Sequence, residues 1–98
     1  MTPEQILDRV EQYETRLRKQ GVQKQQMNPK RTFASASYTV LLGHALYLCD
    51  SVREHLRSPF KNKSENAHRH FSSLQMCLSF AGLYTLEELM DHTDSSKK

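Results

Sequence analysis

Apolar residues recur along this chain at helical spacing and divide it into four segments. Ile6, Val10, Tyr13 and Leu17 stand four, three and four apart, a narrow seam on an otherwise charged stretch, as in a helix that packs along one or two neighbours. Thr2 fits a helix cap, Pro3 the first helical position, and Gln5 completes a capping-box pattern. Glu4, Asp8 and Glu11 come early and Arg16, Arg18 and Lys19 late, the order that the helix dipole favours. Gly21 ends the run. The pattern predicts a first helix over about residues 3–20. Residues 21–32 have no period, contain Asn28-Pro29 and close on Lys30-Arg31; they predict a solvated loop.

A second helix is predicted over about 35–57, starting somewhere between Thr32 and Ser37. Tyr38, Leu41, Leu42, Ala45, Leu48, Cys49, Val52 and Leu56 give it a wide apolar face, which makes it the central helix of the core. Ala36, Gly43 and Ala45 are small enough to admit another helix closely. Pro59 marks its end, and Lys61 and Lys63 make the following loop basic. Ser64 fits a cap for a third helix over about 64–81, with Phe71, Leu74, Leu78 and Ala81 as its core face and Met76 and Phe80 on a neighbouring face. Gly82 suits a left-handed stop and Leu83 the apolar residue that follows one. Thr85 and Glu88 form a second capping box, with Tyr84 and Leu89 as its staple, for a short helix over about 85–91. Residues 92–98 read as a polar, fraying tail. The fold class that follows is all-α: one domain, a small bundle of three main helices plus a short C-terminal one, without strand candidates or internal repeats.

Composition adds a constraint. At 98 residues with 37% hydrophobic content, a lone copy has little core to bury, so self-association is expected. The net charge of +3 is a mild bias toward anionic partners and falls short of a dedicated nucleic-acid binder. Five histidines can add charge below pH ~6.5. Cys49 and Cys77 sit inside apolar helical patterns, as buried reduced thiols of a cytoplasmic protein do. The polar N-terminus lacks the build of a signal peptide. The most apolar stretch, 38–49, is broken by Gly43 and His44, too short a run to cross a membrane.

The candidate chemistry concentrates at the start of the third helix. His68-Arg69-His70 follow Lys61 and Lys63, and a helix start offers free N–H groups and a favourable dipole to a phosphate. The alternative is a solvated polar turn with one histidine packed partway into the core. Successive helical residues point about 100° apart, so all three cannot face one ligand. A metal site is not expected from His44, Cys49, His55, His68, His70, Cys77 and His92, because no pair has ligand spacing. Nor is a cofactor: the three glycines are isolated and build no phosphate loop. No strand–turn–helix elbow presents a nucleophile. Asp50 and Glu54, interleaved with Arg53 and Arg57, read as solvated surface charge. His44 among Leu41, Tyr47 and Leu48 is either a satisfied core histidine or, with the Tyr47 ring, one wall of a pocket. The turn at Gly82 resembles a helix-turn-helix corner, but Glu87, Glu88 and Asp91 on its second helix would repel DNA.

From Ala67-His-Arg-His70 through Gly82-Leu-Tyr-Thr-Leu-Glu-Glu-Leu89, and again at Gly43-His-Ala-Leu-Tyr-Leu-Cys-Asp50, the chain resembles a group of small helical proteins of bacteriophages and their hosts. The resemblance covers about half the chain, and its motif is a helix stop followed by a capping box. It implies a non-catalytic inhibitor of host defence that masks a protein or soaks up a nucleotide immune signal in the host cytoplasm. Together with the residue patterns, it gives the leading expectation: capture of an anionic, nucleotide-derived ligand between helices or subunits. Arg69, His70, His68, Lys63 and Arg31 are the candidates for phosphate contacts, and His44 and Tyr47 for base or ribose. A protein–protein inhibitor using the first-helix seam and the basic loops is the main alternative, and a small nuclease or hydrolase the second.

Overall fold

The structure, a computed structural model, describes residues 2–58 and 63–93, leaving aside the side chains of Phe33, Lys63 and Ser64. The expected stop at Pro59, the basic Lys61 and the tail from 94 to 98 lie outside the described residues, as does any cap formed by the Ser64 hydroxyl. The elements are α1 (Pro3–Lys19), a 3-10 turn (Phe33–Ser35), α2 (Tyr38–Arg57), α3 (Lys63–Phe80) and α4 (Leu86–Thr93). The fold is all-helical, three main helices plus a short one.

Local signals set most of the helix ends. At the start of α1, Gln5 N–H donates to Thr2 Oγ1 at 3.2 Å and Thr2 N–H to Gln5 Oε1 at 2.8 Å, the reciprocal pair of a capping box. Thr85 and Glu88 repeat it before α4, at 3.0 and 3.1 Å. Gly21 (φ 74°) and Gly82 (φ 77°) are the left-handed stops of α1 and α3. After each, the next N–H reaches back to a carbonyl five residues earlier, Val22 to Leu17 and Leu83 to Leu78.

Three boundaries differ from expectation. Residues 33–35 form their own 3-10 turn, and α2 starts only at Tyr38, because the extended Ser37 accepts the Val40 N–H on its hydroxyl. The third helix starts at Lys63, so Ser64 lies inside its first turn. The last helix runs to Thr93, and His92, expected in a frayed tail, is within it.

The α1 seam, Ile6, Val10, Tyr13 and Leu17, is fully buried, as the spacing predicts. It packs on α2, which packs in turn on α3 through Ala67, Phe71, Leu74, Cys77 and Leu78. As the central helix, α2 is buried nearly all round; Leu46, outside the predicted face, is fully covered, whereas Tyr38, inside it, is 54% exposed. Each fully buried leucine contributes about 1.5–3 kcal/mol over its exposed state. Polar ties add to this. Glu14 accepts two guanidinium hydrogen bonds from Arg53 at 2.9 and 3.1 Å, and Arg53 also reaches Asp50. Arg53 therefore ties α2 to α1 and Asp50 braces it within α2, where the sequence pattern suggested plain surface charge.

The 21–32 loop is not fully solvated either. Gln25 N–H donates to Gly43 O at 3.2 Å, Met27 N–H donates to His44 Nδ1 at 3.1 Å, and Lys24 pairs with Asp50. Met27 is 7% exposed. The loop is a strap along α2, and it is this strap that the small Gly43 admits. A Cβ there would stand 2.5 Å from Gln25 Cγ and 2.7 Å from the Gln23 carbonyl oxygen.

Candidate functional site

The residues expected to bind phosphate separate into two groups. Lys63 opens α3, and the free N–H groups of that helix belong to its first four residues. His68, Arg69 and His70 lie in the second turn, where their own amides join the helical ladder. Arg69 is exposed and pairs with Glu65 one turn back at 2.6 Å. His68 is exposed too, while His70 turns inward. Arg31 lies before the N-terminal end of α2, and Lys63 follows its C-terminal end.

His70 instead belongs to a histidine seam between α2 and α3. Its ring sits 4.4 Å from that of His55, tilted by 58°. Its Nδ1 is buried, with no hydrogen-bond partner among the described residues. Burial, then the nearby His55, lowers the His70 pKa. His44 and His55 lie on one stripe of α2, three turns apart, and His70 is close enough to help depress His44, whose pKa is lowered mainly by burial. His44 stacks on Tyr47 at 5.6 Å and 19°, the ring pair that the sequence suggested. Its Nδ1, however, accepts the Met27 N–H, so the neutral imidazole anchors the strap.

Burial pushes both cysteine thiols up to about 12, so they stay protonated at neutral pH. Among the described residues no group of three or more His, Cys, Asp or Glu is placed to hold a metal ion.

Two of the surface hollows among the described residues border α1. The wider, about 580 Å³, runs between the polar face of α1 and Tyr84. It is lined by charges of both signs, and the Arg16 guanidinium already covers the Tyr84 ring at 4.6 Å. The other, about 330 Å³, lies where the end of α1, the strap and the first turn of α2 meet. The Tyr38 ring, Val22 and Leu42 supply its apolar surface, and Gln20, Gln23, Gln25 and Thr39 its amides and hydroxyl. Among the described residues no charged side chain lines it. Apolar walls with a few convergent neutral donors and acceptors suit a small planar ligand.

Sequence reasoning missed this hollow because Tyr38 fits the period of the α2 core face. The available signal was compositional: four glutamines, Gln20, Gln23, Gln25 and Gln26, within seven residues. Comparisons with protein-family models, curated proteins and solved structures find no match to this chain.

Proposed function

We propose that this chain is a non-enzymatic binding protein that captures a nucleotide-like anionic ligand, with the base in the Tyr38 hollow. The observation that carries the reading is the hollow itself: one exposed aromatic face beside three glutamine amides and a threonine hydroxyl. A base stacks on such a ring whatever its identity, and amides can donate to or accept from its edge. Ser37 caps the Val40 N–H, which leaves the amides of Tyr38 and Thr39, at the positive end of α2, to meet a phosphate. The net charge of +3 favours an anion over the whole molecule. The resemblance to small phage proteins supports the same class of activity, sequestration of a nucleotide immune signal. The base contacts move from His44 and Tyr47 to Tyr38 and the glutamines, because His44 is already used by the strap.

Titration calorimetry with a panel of linear and cyclic nucleotides tests this. Binding is expected, and Tyr38→Ala should weaken it about tenfold or more, the worth of a base–aromatic stack. Arg69→Ala should leave it unchanged. Loss of binding in Arg69→Ala with Tyr38→Ala unaffected would return the site to the start of α3, and silence across the panel would reject nucleotide capture.

A further inference from the structure

The outer face of α3 and α4 exposes several large apolar side chains: Met76 is 44% exposed, Leu86 63% and Met90 70%. We infer that this face is a dimer interface whose occupant is a second, antiparallel copy of the same chain. The inference goes beyond ligand capture at the Tyr38 hollow and does not depend on it.

The three side chains edge a groove of about 210 Å³, with Leu89 as its floor and Ser72 and Gln75 along one wall. That space suits one unbranched apolar side chain, and Met90 is such a side chain, standing at the rim. The surface therefore offers both a knob and a hole, which a two-fold interface requires because each copy presents the same patch. Methionine adapts readily to such a fit. The exposed apolar area is on the order of 300–400 Å² per copy, the size at which a surface patch on a monomer is often functional. With a polar rim, two copies would bury roughly 1,200 Å², the low end for a specific interface. At that size a transient, concentration-dependent dimer is expected. It also supplies the apolar burial that 37% hydrophobic content leaves short in one copy.

Charge fixes the orientation. The exposed stripe of α3 runs Glu65, Arg69, Ser72 and Met76, spaced four, three and four. The acids Glu87, Glu88 and Asp91 all belong to α4. Laying α4 on α4 would set like charges together. Antiparallel apposition lays α4 of one copy along the N-terminal half of α3 in the other, where Arg69 meets Glu87. Glu65, the present partner of Arg69, is exposed, and such a pair is too weak to hold it back.

Sedimentation velocity from low to high micromolar concentration tests the inference. The wild type is expected to pass from monomer to dimer over that range. Met90→Lys, at an exposed position, should keep the wild-type circular dichroism and weaken the dimer about tenfold or more. Arg69→Glu and Glu87→Arg should each weaken it, and the double variant should recover it. A wild type that stays monomeric at high micromolar concentration overturns the inference, as does a dimer that Met90→Lys and Met76→Lys leave unchanged. Partition of a monomeric chain onto mixed neutral and anionic lipid vesicles overturns it in favour of a membrane surface. A double variant that fails to recover overturns the antiparallel orientation.

Discussion

Gly43→Ala tests whether the strap is part of the folded structure or an accessory to it. By helix propensity alone the change should stabilise, because alanine is about 1 kcal/mol better than glycine inside a helix. The tertiary surroundings point the other way. The new Cβ would stand 2.5 Å from Gln25 Cγ and 2.7 Å from the Gln23 carbonyl oxygen. The glutamine side chain can swing aside, but the carbonyl is backbone, so the strap must lift. Lifting strains the Gln25 N–H to Gly43 O and Met27 N–H to His44 Nδ1 hydrogen bonds, about 1 kcal/mol each. It also uncovers part of the buried Met27, worth up to about 2 kcal/mol. Against the propensity gain, the net is a loss of about 1–3 kcal/mol. For a domain of this size, 1 kcal/mol moves the melting temperature by roughly 4–8 °C. Thermal denaturation followed by circular dichroism reads the total, and limited proteolysis within residues 22–31 locates it. A variant as stable as the parent, with the strap equally resistant to cleavage, would refute the argument.

Three further outcomes follow. The pKa values of His44, His70 and His92 are all lowered chiefly by burial, so the unfolded chain binds more protons as pH falls below about 6.5. Stability should be full above that pH and decline on acidification until each folded-state pKa is passed. The slope should stay below the limit of about 1.4 kcal/mol per pH unit for each histidine, because all three are partly solvated. Urea denaturation between neutral and mildly acidic pH checks this, and His70→Gln should flatten the profile. Tyr13→Phe removes a buried hydroxyl bonded to His92 at 2.7 Å and Gln75 at 3.3 Å; a loss of about 1–2 kcal/mol is expected, with hydrogen exchange fastest in α4. Glu14→Gln should cost about 1–2 kcal/mol by weakening the two-pronged Arg53 contact. Since Arg53 holds the Glu14 pKa below the usual carboxylate range, the gap between variant and wild type should close as acid protonates Glu14.

What the sequence disclosed follows the range of the interactions involved. The α1 seam, the stops at Gly21 and Gly82 and both capping boxes are decided within a few residues, and each was legible from spacing. The start of α2 was less so, since Thr32, Ser35 and Ser37 can all cap and only the fold selects Ser37. Contacts distant in sequence left no local mark: Glu14 with Arg53 is 39 positions apart and Tyr13 with His92 is 79. The strap was hidden for the same reason. Met27 is a lone apolar residue in a polar run, and nothing in its neighbourhood announces a seat between Gly43 and His44. At the candidate site, the stacking of His44 on Tyr47 was visible from their spacing. The claim of the strap on His44 was not, nor was the inward turn of His70, which leaves Arg69 on the surface beside Glu65.

The same long-range contacts explain how the secondary parts of the fold are attached. The strap is held through His44 Nδ1, which can accept the Met27 N–H only while unprotonated. The short α4 is held in part through His92, whose Nδ1 faces the Tyr13 hydroxyl. Gln75 Nε2 donates to that oxygen; where the hydroxyl hydrogen points at His92, the imidazole accepts it in the neutral form. Between α2 and α3, His70 and His55 lie ring against ring, and charging both would set two cations in contact. The apolar core among α1, α2 and α3 contains no such group, so acid acts on the strap, α4 and the seam edge before it reaches the core. Acid loosening is therefore expected to start with the elements that border the Tyr38 hollow and the α3–α4 face, the two surfaces proposed for binding.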